Sequence, residues 1–553
     1  MIKIKCENNQ IAKTYKFGTR LHEIIKDQKI KLDYPILGAL VNNKLKELSY
    51  RIFKPKTIKF IDITHPDGMR MYVRSLSFIL IKATKELFPN VILTIEHSVS
   101  KGYFCEIKGL DKELSIEMVF KISNRMKKII KKNIPFKREE ILTEDAIKLF
   151  EKNKFYEKVK LLKSRKSLYT SIYYLGDQID YFYGYLVPST GYLKVFDIVK
   201  YYNGMLLMVP KRSDPVELEE LILQDKMFEI FREYKQWGKI LNVESIGDIN
   251  EVVQKGNVGE ILKIAEALHE KKVVQIADKI YDKKDKIKVV LISGPSSSGK
   301  TSFTKRLAVQ LKVAGLKPVQ ISLDNYFVDR EHTPRDEKGE YDFEVLEALD
   351  IKLFNNNLLD LFNGKEIKLP KFSFETGKKY YNHETLKINS EHIILVEGIH
   401  ALNPELTPRI APEIKFEIYV SALTQLGIDS HNRIPTTDNR LIRRLIRDYR
   451  YRGYSGIDTL KRWQSVRIGE EKNIFPYQEE ADVMFNSALL FELGVLKKYA
   501  VPILSEIQEN YSEYAEAQRL LKFLSYILPV PEDEIPPTSI LREFLGGSSF
   551  KYD

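Results

Sequence analysis

Eight consecutive residues, Gly294-Pro295-Ser296-Ser297-Ser298-Gly299-Lys300-Thr301, match in full the pattern of a glycine-rich loop closed by a lysine and a hydroxyl residue. The chemistry of that pattern is phosphate binding. Its glycines let backbone N–H groups converge on phosphate oxygens with no side chain between them. Lys300 supplies a point charge for β and γ phosphates, and the Thr301 hydroxyl suits a Mg²⁺ ion. The apolar run Val289-Val-Leu-Ile292 precedes the loop and a helical stretch from Thr301 to about Val313 follows it. That helix, which includes Ser302, directs its positive N-terminal end at the same anion. Chance matches to the pattern rarely have this strand and helix context, so the reading is a nucleotide site for ATP with Mg²⁺.

Three downstream groups extend the chemistry from binding to transfer. Asp324 stands in Ser322-Leu-Asp-Asn-Tyr-Phe327, at the end of the next expected strand. A carboxylate there, on the ligand side of a parallel sheet, is placed to accept a proton from an attacking hydroxyl. A turn or helix-capping Asp is the plainer alternative. Glu397 ends the apolar run Ile394-Leu-Val, which suits a Mg²⁺-side carboxylate; a structural turn is its alternative. The third group is Arg440-Leu-Ile-Arg443-Arg444-Leu-Ile-Arg447-Asp-Tyr-Arg450-Tyr-Arg452. Arg440, Arg443 or Arg444, and Arg447 share one helical face, and Leu441, Ile442 and Leu445 supply the other. Planar guanidinium groups suit multidentate phosphate contact, so this helix reads as a lid over the transferred phosphoryl group. A basic helix for RNA is the competing reading.

These residues need a scaffold. From about residue 287 to 505 apolar strands alternate with helical stretches: Val319 to Leu323, Ile393 to Val396, Phe416 to Val420 and Val501 to Leu504. The pattern implies an α/β doubly wound parallel sheet. Ahead of it, residues 1–62 have the pattern of a small β-grasp domain, beginning with the alternating strand Ile2, Ile4 and Cys6. Residues 63–215 read as an α+β domain, and 216–286 as a helical linker ending in Asp282-Lys-Lys-Asp-Lys286. The proline-rich tail 506–553 is expected to drape over the surface. His97 reads as structural and Tyr181 to Tyr185 as core.

A chain of 553 residues is too long for one ordinary domain. Its hydrophobic fraction of 43% excludes a disordered protein. The formal charge of +12 suits polyanionic partners such as ATP or RNA. Two distant cysteines, Cys6 and Cys105, exclude a disulfide framework and favour the cytoplasm. No apolar run is long enough for a bilayer, so no membrane partner is expected.

The stretch from about Lys288 to Leu504 resembles the phosphoribulokinase/uridine kinase family. The resemblance rests on GPSSSGKTS, SLDNYF, KGEYDFEVLEALD, the VEGI strand end, DNRLIRRLIRD followed by RG, and Glu480-Ala-Asp482, in that order. It implies a P-loop kinase fold, with Asp324 as catalytic base and Glu344 holding acceptor hydroxyls. Arg444, Arg447 and Arg452 are then the lid, with Arg444 also reaching the substrate. The departures fall in the loop that grips the base of uridine: Phe372, Ser373, Gly377 and Lys379 replace the family's Tyr, Asp, His and Arg. Tyr454 also stands where an arginine often follows RG. Transfer to a nucleoside hydroxyl is expected, with another hydroxyl acceptor such as a sugar phosphate left open by Lys378, Lys379 and Arg462.

Residues 1–62 resemble a TGS domain, and those from about His65 to Pro210 are similar to the second N-terminal domain of threonyl-tRNA synthetase. The latter resemblance rests on Ser75 through Ile107, with Ala83 to Pro89 and Lys101 to Phe104. That domain edits with histidine and cysteine motifs, yet Arg74, Phe78 and Met208 stand at the aligned positions. Neither zinc nor editing is expected. An inherited RNA-binding role, making the chain an ATP-regulated RNA-binding protein, is the rival reading; a scaffold for a homo-oligomer is another.

Overall fold

The computed structural model describes residues 1–336 and 339–552, the side chain of His383 aside. Lys338, the first residue of the KGEYDF segment, lies outside the described residues.

The nucleotide-loop half is built on a five-stranded parallel sheet. Its spatial order is Lys317–Ser322, His392–Glu397, Val289–Ser293, Lys415–Ser421 and Val483–Asn486. Every residue of the central Val289–Ser293 strand is buried, as a parallel strand covered on both faces requires. The chain leaves this central strand at the point where strand order reverses, the place at which open parallel sheets bind ligands. Gly294, Ser322 to Asp324 and Gly398 all follow strands at that edge.

The fifth strand is a correction. Val501 to Leu504, expected as a strand, lies inside the Glu492–Ser505 helix, and Val483–Asn486 pairs with Lys415–Ser421 in its place. A four-residue apolar run has no period that separates a buried strand from a buried helix turn.

The front of the chain carries a three-stranded sheet of Lys137–Leu142, Tyr169–Leu175 and Gln178–Asp180, a short pair of Thr19–Arg20 with Arg51–Ile52, and two larger sheets. One has five strands, with Ile2–Cys6 between Ala12–Tyr15 and Lys56–Ile61, and the Leu21–Gln28 helix packs its Leu21 and Ile24 against it. The second is a four-stranded antiparallel sheet including Ile92–Val99 and Gly102–Lys108, covered by helices Pro66–Leu87 and Ile116–Lys131. His97 stacks on Phe231 at 3.6 Å between ring centroids, and Tyr181 and Tyr183 are buried. Arg74 donates to the Tyr185 carbonyl at 3.1 Å, while Phe78 and Met208 lie in apolar cores.

Residues 216–224 are not helical. Helix begins at Asp225, and Val216, Leu221, Ile222 and Leu223 are exposed. Three leucines at positions 218, 221 and 223 do not line one helical face, whereas Ile276, Ala277 and Ile280 of the Val258–Tyr281 helix do, and they join the core of the parallel sheet.

The tail also departs from expectation. Instead of draping over the surface, it buries Tyr526, Ile540, Leu541 and Phe544 almost completely in the core shared with the P-loop helix. Its prolines sit in irregular backbone between apolar anchors, so proline content reported irregular backbone and not exposure.

A buried ionic cluster fastens the front half to the kinase half. Lys158 Nζ lies 2.8 Å from Asp180 and 3.0 Å from Asp429, and His431 Nδ1 is 2.6 Å from Asp180. Each charge is paired, which is the condition for keeping ions in an interior.

Candidate active site

The glycine-rich loop joins the central strand to the Lys300–Val313 helix. A Cβ at Gly294 would collide with the Val420 carbonyl of the neighbouring strand, so the close approach of two backbones demands glycine there. Gly299 has φ of 83°, a left-handed conformation that also favours glycine. The Ser297 and Ser298 hydroxyls are buried, and among the described residues neither has a hydrogen-bond partner. Buried hydroxyls in that state need an acceptor from outside the chain.

Lys300 donates to the Pro295 carbonyl at 3.2 Å, and among the described residues no carboxylate is within ion-pair distance of it. Burial pushes its pKa down, while Glu397 and Asp324 act in the opposite sense. The cation therefore sits within the field of both carboxylates singled out from the sequence. Thr301 Oγ1 donates to Glu397 Oε1 at 3.2 Å, and Ser322 Oγ is 3.4 Å from the same oxygen. Burial, then the Asp324 charge, raises Glu397 to about 7. Asp324 itself is exposed at the start of a short 3₁₀ turn, with its N–H directed at Ser322 Oγ. Glu344, raised to about 7 chiefly by burial, feels Arg444 and Lys300. Lys300 thus lies in the field of Glu397 and Asp324, and Glu344 in that of Arg444 and Lys300.

The residues present fit a nucleotide's phosphates. The partnerless serine hydroxyls, the lysine without a carboxylate and the helix N-terminus are all donors facing one cradle. Thr301 and Glu397 supply two oxygen ligands of the kind Mg²⁺ takes. Among the described residues no group of three or more His, Cys, Asp and Glu side chains could hold a metal, and Mg²⁺ in such sites draws its other ligands from phosphate and water.

The arginines divide into two sets, which corrects the single-face reading. In the Thr436–Tyr451 helix, Arg440 and Arg443 are fully buried together with Leu441, Ile442 and Leu445. Arg440 forms a two-pronged ion pair with Glu470 and donates to the Ser296 carbonyl at 3.1 Å. Glu470 in turn accepts from the Ser296 N–H at 3.0 Å. Arg443 pairs with Glu492 and Ser487, and Ser487 Oγ donates to the Ser298 carbonyl. These two arginines brace the loop from behind. Arg444 donates to Ser296 Oγ at 2.9 Å, Arg447 lies 3.7 Å from Glu543, and Arg452, about half exposed, lies 3.3 Å from Asp448. Burial, with Arg452 next, lowers Arg447 to about 10.

Phe372 is buried in an aromatic wall. Its ring lies 5.6 Å from Phe327 and 5.2 Å from Phe374, and its N–H reaches Asn325 Oδ1 at 3.4 Å. Phe343 meets Phe327 edge-on at 5.6 Å, and Phe374 is exposed. Lys379 is held by Asp350 at 2.7 Å, and Arg462 lies over Tyr454 at 4.2 Å.

Sequence reasoning missed Glu470, Glu492, Ser487 and Glu543. Each is a lone residue in a helix or loop that meets the site only through the fold, and no local spacing marks it.

Residues 289–490 match the model of the Phosphoribulokinase / Uridine kinase family. This half of the chain carries a domain of that family. The front half is similar to threonine–tRNA ligases. The Clostridium kluyveri enzyme is 31% identical over 263 residues, and that of Desulforamulus reducens 28% over 260. Each match covers 44% of this chain, and the chain spans 40% of the length of either relative. Among solved structures, a possible uridine kinase from Bacillus stearothermophilus is 20% identical, with 36% of this chain and 89% of that one covered and a TM-score of 0.25. No helix among the described residues is long and apolar enough to cross a membrane.

Proposed function

We propose that this protein is an ATP- and Mg²⁺-dependent small-molecule kinase whose acceptor is a hydroxyl group of a nucleoside. The observation that carries the reading is the grouping of Asp324, Glu344 and Glu397 within the field of Lys300. One cation at a phosphate cradle, with Asp324 and Glu397 at the ends of neighbouring strands and Glu344 on a loop, is what in-line phosphoryl transfer requires. ATP, when bound, supplies the transferred group, with Mg²⁺ offsetting its charge. Lys300, Ser297 and Ser298 hold the phosphates, and Thr301 and Glu397 hold the metal. Asp324 orients the acceptor hydroxyl and takes its proton at the carboxylate. Glu344 fixes neighbouring hydroxyls, and Arg444, Arg447 and Arg452 offset the charge of the group in flight.

The acceptor is an uncharged molecule with a planar ring. Phe372, Phe374 and Phe343 offer stacking faces, while Lys379 and Arg462, two of the three basic residues that would favour a sugar phosphate, are engaged with Asp350 and Tyr454 and the third, Lys378, is exposed. Loss of the family's base-gripping side chains predicts weak discrimination between bases.

The test is ATP consumption with Mg²⁺ against a panel of nucleosides and sugar phosphates. Turnover with several nucleosides, lost in Asp324→Asn, is expected. Turnover confined to sugar phosphates would overturn the acceptor class. Acceptor-independent ATP binding coupled to a steeply salt-dependent RNA affinity would favour the rival reading drawn from the ligase-like front half.

A further inference from the structure

The C-terminal residues reach the phosphate loop itself. Ile540 lies against Gly299, where an added Cβ would come within 2.6 Å of its Cγ2. Phe544 packs under the Arg443 guanidinium at 5.2 Å. Between them Glu543 turns its carboxylate into the site. Oε2 accepts from Ser302 Oγ at 2.6 Å, and Oε1 lies 3.7 Å from Arg447 Nη1. Tyr552 returns to the same serine, with its hydroxyl 3.0 Å from Ser302 Oγ. Ser302 is in the first turn of the P-loop helix, and Arg447 belongs to the arginine helix. A loop serine and an arginine on one anion are the partners a nucleotide phosphate would have, and here a side-chain carboxylate holds both.

We propose that the C-terminal segment is an internal ligand of the phosphate loop, with Glu543 occupying Ser302 and Arg447 in competition with the nucleotide's phosphates. This rests on the reading of the loop as a nucleotide site. The geometry separates a fixed part from a movable one. Ile540, Leu541 and Phe544 are wholly buried and stay as the anchor. Gly546 and Gly547, with φ of 83° and 70°, then form a joint before Tyr552. Such positions swing without side-chain strain. Nucleotide entry therefore turns the Glu543 side chain away and frees the residues beyond the joint, while the anchor keeps the tail at the site to close it again. A buried negative charge beside incoming phosphate opposes binding, and occupancy of the loop depends on whatever draws the tail away.

The experiment is calorimetric titration of the full chain with Mg·ATP and, separately, with inorganic tripolyphosphate, which lacks the nucleoside. Glu543→Gln keeps an acceptor for Ser302 and removes the charge. Its affinity for both ligands is expected to rise about tenfold, a screened fraction of the Coulomb repulsion between neighbouring charges. Hydrogen exchange of residues 546–552 is expected to accelerate when Mg·ATP saturates the wild-type chain. Lys300→Ala separates the two readings. If it abolishes binding while Glu543→Gln binds equally or more weakly, the internal-ligand proposal is overturned and the nucleotide site stands. If Lys300→Ala binds as the wild type does, the nucleotide site falls, and the proposal with it. Slower exchange at 546–552 on ATP binding would also overturn it, making the tail a wall of the bound site.

Discussion

Glu344 offers the sharpest handle on the site, because stability and acceptor binding should respond to it with opposite signs. Its carboxyl is raised from an ordinary 4.5 to about 7, first by burial; Arg444 lowers it, and Glu470 and Asp342 raise it. Below pH 4.5 the group is protonated whether the chain is folded or not, so it adds no pH dependence. Between 4.5 and about 7 the unfolded chain gives up the proton while the folded chain keeps it, and stability falls as pH rises. Above 7 the folded chain carries the whole penalty. A shift of that size corresponds to about 3 kcal/mol at most, and partial solvent access to the side chain brings the expectation to about 1–2 kcal/mol.

Glu344→Gln fixes the group in a neutral form. The variant should match the wild type in unfolding midpoint at pH 4 and exceed it at pH 8, by a margin worth about 1–2 kcal/mol. Kinetics should move the other way. An ionised Glu344 accepts strongly from acceptor hydroxyls, so the acceptor KM of the variant should be about tenfold higher at pH 8, with the gap closing toward pH 6. The KM for ATP should be unchanged. A variant less stable than the wild type at pH 8, or a KM ratio flat across pH, would refute the placement of Glu344 beside the acceptor.

Asp324→Asn should lower the single-turnover transfer rate by about 10²–10⁴-fold while leaving the Kd for Mg·ATP within about twofold, because the base acts only on the acceptor; a large loss of ATP affinity would reassign Asp324 to the nucleotide. Arg443→Ala strips Glu492 of its buried partner and should cost about 3–5 kcal/mol in thermal or denaturant unfolding. Arg452→Ala, at an exposed position, should leave the unfolding midpoint in place and slow the transfer step. Phe544→Ala should destabilise by about 3–5 kcal/mol, a result a surface-draped tail would not give.

The glycine-rich loop and its strand and helix setting were legible because the features that build them are local. Backbone approach, helix N-terminus, lysine and threonine all lie within eight residues, and the flanking apolar strand identifies their context. Asp324 and Glu397 were legible for a related reason: each ends an apolar run, and in a parallel sheet strand ends share one edge. The aromatic character of the wall at Phe372 was visible, but not that Phe327 and Phe343 complete it, since those contacts cross from one segment to another.

What was not legible is what holds the loop still. Arg440, Arg443, Arg444 and Arg447 are alike in sequence, and a helical wheel assigns most of them one face. Their division depends on Glu470 and Glu492, which lie 30 and 49 residues from their partners. A guanidinium tied to a loop carbonyl as well as a buried carboxylate becomes part of the scaffold, whereas Arg444, Arg447 and Arg452 pair with a carboxylate but, among the described residues, reach no loop carbonyl. The same logic governs the tail. Glu543 is an ordinary acidic residue until the burial of Ile540, Leu541 and Phe544 delivers it to Ser302. In a phosphate site the donors are backbone groups and hydroxyls that many sequences could supply, so selectivity among anions comes from which carboxylates the fold admits. Here it admits Glu397 beside Thr301, Glu344 in the field of Arg444 and Glu543 at Ser302, and each is expected to act by its charge at a different step of the proposed transfer.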